Sequence, residues 1–204
     1  MLKPRSTVVE KAISVAISVL LISAFSTYVQ GSSANQTSTV EKSQTKQEIQ
    51  NAIDKEIEAH KVKIRELRLK QFSEQKTPFT DEELAQLLSA IGFEGKALKV
   101  AWAVVKKESN GRPLAFNGNT RTGDSSYGIF QINMIGGLGV DRRAKYDLNT
   151  NTDLFDPVVN AEIAFLMSNK GENWSSWHVG NSQYNKDNNK VKFWLDKFPE
   201  GAVS

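Results

Sequence analysis

Glu108-Ser109-Asn110-Gly111-Arg112-Pro113-Leu114-Ala115-Phe116-Asn117, followed by Gly123-Asp124-Ser125-Ser126-Tyr127-Gly128-Ile129-Phe130-Gln131-Ile132-Asn133, is the stretch on which the reading of the chain turns. Just upstream, Leu98, Ala101, Trp102 and Val105 recur at helical spacing, so a helix from about Lys96 packs through that stripe and ends near Asn110-Gly111. Glu108 lies three residues after Val105 and continues the apolar stripe, whereas Lys106 and Lys107 are expected to face water. A carboxylate on an apolar face is costly to bury charged, which would raise its pKa and suit it to general acid work. The plainer alternative is a solvated glutamate in a frayed last turn. Downstream, the Gly/Asn/Thr/Asp-rich segment from Phe116 turns apolar before Asn133 and reads as loops or short strands.

Other helices flank this stretch. Thr80-Asp81-Glu82-Glu83 is a capping box opening a helix that runs to about Ile91 and stops at Gly92. Asp156 and Pro157 fit N-cap and N1 of a further helix, expected to reach Lys170 with Gly171 after it. A last amphipathic helix is expected from Lys190 to Phe198. The class is therefore α+β and mainly α, with a small loop or β element.

The quoted residues resemble the lysozyme-like superfamily, and within it most closely the soluble lytic transglycosylase (SLT) domain. The resemblance rests on the helix-terminal Glu108-Ser109, on Pro113 with Ala115, on Gly128-Ile129-Phe130-Gln131-Ile132, and on Asp156-Pro157-Val158-Val159-Asn160 with Ala161 and Ala164. These occur in order over about residues 80–180. The resemblance implies a lysozyme-like fold acting on peptidoglycan glycan strands without a cofactor. Glu108 would be the sole acid/base, protonating the bridging oxygen between N-acetylmuramic acid and N-acetylglucosamine and then closing a 1,6-anhydro ring. Ser109 would bond the substrate or orient the glutamate. Tyr127, Gly128 and Gln131 would line the cleft with Asn133; for Gln131 and Asn133 a turn lock is an equal alternative.

Departures from the pattern leave alternatives open. The family's Tyr-Asn-Ala-Gly segment is missing, and Asn173-Trp174-Ser175-Ser176-Trp177-His178 stands in that region. Trp174 or Trp177 is a candidate aromatic wall against a sugar face, with burial in the core as the competing reading. The quoted stretch also resembles animal-type lysozyme, a hydrolase whose aspartate nucleophile precedes the Tyr-Gly pair. Ser126 occupies that position here, so Asp124 is the candidate second carboxylate, effective only if its loop turns inward. A non-catalytic glycan-binding or phage-tail structural module of the same fold is the rival outside enzymes.

Weaker patterns carry less. Asp147 to Asp153 copies half a calcium loop, but Thr152 stands where glycine belongs and Val158 where the bidentate glutamate belongs, so no metal is expected. His60 and His178 lack a Gly-x-Ser-x-Gly partner segment, and no phosphate-binding glycine loop occurs.

The rest of the chain concerns placement. Residues 1–34 have a basic start and the apolar run Ala12 to Phe25, the form of an export signal, with an uncleaved membrane anchor as the alternative. Residues 35–78 form a polar linker and a helical stalk of up to about 35 residues, about 50 Å long at 1.5 Å per residue. Its seam is Ile49, Ile53, Ile57, Ile64 and Leu67, with His60 in an inward slot, thin enough that only weak self-association is expected. Residues 79–204 are the working domain, expected to act outside the cytoplasm in the periplasm or wall. The net charge of +3 divides as +2 for residues 1–39, +2 for 40–78 and −1 for 79–204, which removes the main argument for a nucleic-acid partner. The chain has no cysteine, so the domain must hold its shape by packing alone.

Overall fold

The computed structural model describes residues 39–180 and 185–203. The expected signal or anchor, residues 1–34, lies outside the described residues. Among those described, no helix is long and apolar enough to cross a membrane.

The described residues divide into two units, one containing residues 39–56 and the other beginning at Ile57. Helix α1 spans Thr39–Ser73. In the second unit follow α2 (Asp81–Ile91), α3 (Gly95–Glu108), strands β1 (Phe116–Asn117), β2 (Ser126–Tyr127) and β3 (Ile132–Asn133), α4 (Gly136–Tyr146), a 3-10 turn (Asn151–Phe155), α5 (Pro157–Met167), a 3-10 turn (Ser175–Trp177) and α6 (Asn185–Leu195). The fold is mainly helical with one small antiparallel sheet, as the sequence indicates.

In the seam expected on α1, Ile49, Ile53, Ile57 and Ile64 are half-buried, and two positions need correction. Leu67 is 61% exposed and His60 is exposed, while Phe72 is buried and Leu69 half-buried. Leu69 and Phe72 belong to the domain core, and Arg65 donates to the Ala90 carbonyl of α2 at 2.6 Å. The last turns of this helix are thus a packed part of the second unit, whatever the upstream part does.

Helix α2 begins as its capping box dictates. Glu83 N donates to Thr80 Oγ1 at 3.2 Å, and Thr80 N donates to Glu83 Oε2 at 2.9 Å. It ends at Gly92, whose φ of 121° suits glycine. Helix α3 buries Leu98, Ala101, Trp102 and Val105, and also Ala103 and Val104, so the buried arc is wider than the stripe. Asp156 caps α5 by accepting from Val158 N at 2.8 Å and Val159 N at 3.3 Å, with Pro157 at N1.

Two helix ends differ from expectation. Helix α5 stops at Met167, not Lys170, because Asn169, Lys170 and Gly171 all take positive φ. Ser168 secures that turn, its hydroxyl donating to Phe165 O and accepting from Gly171 N. The last helix starts at Asn185 and stops at Leu195. Helix α4 was missed because Gly136-Gly137-Leu138-Gly139 is poor in helix formers. Gly139 is needed there, since a Cβ would lie 2.2 Å from the Met134 carbonyl oxygen.

The core has two aromatic centres. Phe93, Phe130, Trp174 and Trp177 form one, with ring centroids 5.3–6.3 Å apart. Trp102 with Trp194 and Phe198 forms the other, where α6 and the tail close over α3. Such rings bury large apolar areas and stand in for the missing disulfides.

Candidate active site

Glu108 is the last residue of α3. The chain turns sharply after it: Ser109 N and Asn110 N both donate to Val105 O, and Asn110 (φ 53°) and Gly111 (φ 74°) take left-handed backbone. Its side chain is 22% exposed, and Oε1 lies 2.9 Å from Lys107 Nζ. The Lys107 ammonium also donates to Trp177 O at 3.2 Å. The expected order of burial is reversed, since the Lys106 and Lys107 side chains are 10% and 9% exposed and less accessible than Glu108. Lysine stems cover apolar surface while their heads find partners, Asp81 for Lys106 and Glu108 for Lys107. Glu108 sits at the rim of the core.

Ser109 is engaged within the protein. It is buried, its hydroxyl donates to Ile129 O at 2.7 Å and accepts from Gly111 N at 3.2 Å, and Val105 O lies 3.3 Å away. It staples the end of the glutamate helix to the segment after β2.

That segment is fixed from the other side by Asn160, a fully buried side chain of α5. Its Oδ1 accepts from Phe130 N at 2.9 Å, and its Nδ2 donates to Tyr127 O and Leu154 O, each at 3.0 Å. The Asp-Pro-x-x-Asn pattern therefore has a local meaning: Asp156 starts the helix and Asn160, one turn on, grips the sheet loop. Gly128 is the counterpart. With φ 75°, a Cβ there would lie 2.2 Å from both Asn160 Nδ2 and Leu154 O, so glycine allows a close approach to the protein's own atoms.

Gln131 and Asn133 are turn locks. Gln131, at φ 50°, donates through Nε2 to Ala115 O and Gly128 O at 3.0 and 2.9 Å. Asn133 Oδ1 accepts from Ser125 N and Ile135 N, and its Nδ2 donates to Gly123 O at 2.7 Å. Arg142 donates to the Asn133 carbonyl, and burial lowers the pKa of its guanidinium. Every sheet loop is thus tied by side chains.

Trp174 and Trp177 are 6% and 5% exposed, with indole N–H groups donating to Gly171 O and Phe130 O, so both are core rather than a sugar wall. The exposed aromatic of this region is Phe116 on β1, 56% exposed, its ring 4.8 Å from Tyr127, which in turn lies 5.4 Å from Phe155. Phe116 lies in the segment expected to form loops or short strands, a pattern that does not mark which side chain is exposed.

Asp124 stands before β2. Its carboxylate accepts from Thr122 Oγ1 and Ser126 Oγ, each at 3.2 Å. The serine in the place of the second carboxylate holds the nearby aspartate by its hydroxyl. The half calcium loop is ordinary secondary structure: Asp147, in left-handed backbone, ends α4, and Asp153 accepts from Asn149 N, Thr150 N and Thr150 Oγ1. Bonds from Thr150, through backbone and then side chain, hold the Asp153 pKa below the ordinary carboxylate value.

A helix-terminal glutamate whose helix end is tied through Ser109 to the loop after β2, with a buried asparagine from a following helix gripping that same loop, builds the mainly helical lysozyme-like architecture of this unit. Residues 85–179 match the family model described as a lysozyme-like domain. No curated protein and no solved structure matches the chain. The family is one of enzymes acting on peptidoglycan.

Proposed function

We propose that this chain is an exported lytic transglycosylase that cuts the β-1,4 bond between N-acetylmuramic acid and N-acetylglucosamine. The observation that carries the reading is Glu108 as the partly exposed last residue of α3, its helix end tied by Ser109 to the loop after β2, with Ser126 where a retaining hydrolase needs its nucleophile. In the proposed step Glu108 donates its proton to the bridging oxygen as the bond from C1 of the muramic sugar breaks. The sugar becomes oxocarbenium-like, and its own C6 hydroxyl attacks C1 while Glu108 takes back the hydroxyl proton. No water is consumed and no cofactor is required. The Lys107 ammonium, anchored to Trp177 O, fixes the carboxylate's direction between turnovers.

A second reading, inverting hydrolysis with Asp124 as base, is supported by that carboxylate's position on the β2 loop beside the same sheet. Export rests on the basic and apolar character of residues 1–34. The test is product analysis of purified murein after digestion: anhydro-muramic ends support transglycosylation, and reducing ends overturn it in favour of hydrolysis. A Glu108→Gln protein must lose lysis while still binding murein. Lysis surviving that change would remove Glu108 from the mechanism.

A further inference from the structure

A groove of about 600 Å³ opens between α3 and α6, lined by Lys106, Lys107, Asn189, Lys190, Phe193 and Trp194. It shares Lys107 with the Glu108 ion pair, so it adjoins the catalytic carboxylate. The α6 residues fall on one helical face, 189 with 193 and 190 with 194. One wall is aromatic: Phe193, 54% exposed, meets Trp194 edge-on at 5.2 Å. The other is cationic. Lys106 Nζ sits 4.8 Å from the Trp194 ring, and Lys197 Nζ sits 4.4 Å from the Phe193 ring. Lys106 and Lys107 are paired with Asp81 and Glu108, whereas exposed Lys190 makes no ion pair among the described residues. This concentration is local, because residues 79–204 carry a net charge of −1. Helix α6 lies beyond the stretch matched to the family, residues 85–179.

A neutral acetylated glycan needs no cation, but the peptide stem on each muramic acid carries carboxylates separated by alanine methyls. We propose that this groove binds the acidic peptide stem of the strand being cut, Lys190 receiving a stem carboxylate and Phe193 with Trp194 covering its apolar side. The assignment rests on the glycan-cleaving reading for its substrate and extends it to stem recognition.

The experiment compares stem-bearing murein strands with strands whose stems an amidase has removed, using the full chain and its Lys190→Glu and Phe193→Ala variants. Both positions are exposed, so melting temperatures should match wild type. Wild type is expected to have a KM at least five-fold lower on stem-bearing strands. Lys190→Glu should erase that difference and leave cleavage of bare strands unchanged. Equal loss on both substrates, or variants that behave as wild type, overturns the groove assignment. Co-sedimentation of the Glu108→Gln protein with the two strand types reads binding without turnover. Stem preference there that Lys190→Glu removes supports the groove even if no cleavage is found, which would instead defeat the lytic reading. Binding to bare strands carrying phosphate-rich wall polymer as strong as to stem-bearing strands would overturn the stem as ligand.

Discussion

The Ser109 hydroxyl donates to the Ile129 carbonyl across 2.7 Å, joining the end of the helix that carries Glu108 to the loop between β2 and β3. Position of the glutamate and position of the sheet are thereby one structural variable. Ser109→Ala leaves Ile129 O and Gly111 N without this partner inside the protein. The expected cost is about 1–3 kcal/mol of stability. At about 2–4 °C per kcal/mol for a domain of this size, thermal melting will show it. An unchanged melting temperature with a raised KM would return Ser109 to the substrate side.

Gly128 and Asn160 form a second such pair. Gly128→Ala drives a methyl into Asn160 Nδ2 and Leu154 O and keeps a left-handed backbone that alanine disfavours. A loss of about 2–4 kcal/mol is expected. Asn160→Ala strands Phe130 N, Tyr127 O and Leu154 O and should cost about 3 kcal/mol or more. Removing the Asn160 amide also relieves half of the Gly128→Ala clash. The double variant should therefore lose clearly less than the two single losses added, as denaturant titration would reveal. Strict additivity would mean that the two residues do not share the contact.

Two carboxylates give opposite pH dependences. Glu162 has a raised pKa, from burial first and the nearby Asp156 charge second, partly offset by Arg65. The folded state therefore holds this proton more tightly, and Glu162 weakens folding progressively as pH rises through the carboxylate range. Glu162→Gln should melt slightly higher than wild type at neutral pH, the gap closing toward acid. Asp153 has a lowered pKa from its Thr150 and Asn149 bonds, so its contribution is present above the ordinary aspartate range and fades as pH falls through it. Asp153→Ala should melt lower than wild type at neutral pH, with that gap also closing toward acid. Melting curves across pH check both signs, and a gap that widens toward acid contradicts either one.

How far the sequence carried depended on whether a signal was local. Thr80 with Glu83, Asp156 with Pro157, and the Leu98 to Val105 stripe act within one or two turns, and the structure has them where local rules put them. What was not legible is long-range: Ser109, Gly128, Gln131 and Asn133 carry the polar chemistry of a binding site, and only distant partners such as Ile129 O, Asn160 and Ala115 O show the structural contacts they also make. The buried lysines beside Glu108 were misread because a helical wheel assigns a residue to a face, not a long side chain to its partner.

Aromatic recognition gives the last prediction, and it reverses an expectation. With Trp174 and Trp177 buried and their N–H groups engaged, Trp177→Phe leaves Phe130 O without its donor and should lower the melting temperature while KM for murein holds. Phe116 has the opposite character. Its exposed ring stands on β1, whose neighbour Ala115 accepts from both Gly128 N and Gln131 Nε2, so it is rigidly held on the sheet that shares its loop with the glutamate helix. A rigid exposed ring offers a sugar face its apolar C–H surface at little entropic cost. Phe116→Ala is expected to remove about 1–1.4 kcal/mol of binding, which at 1.4 kcal/mol per tenfold raises KM about five- to tenfold. Its melting temperature should shift far less than that of Trp177→Phe. If Phe116→Ala left KM untouched and Trp177→Phe raised it, the sugar would have to reach the indole, and the core assignment of Trp177 would fail.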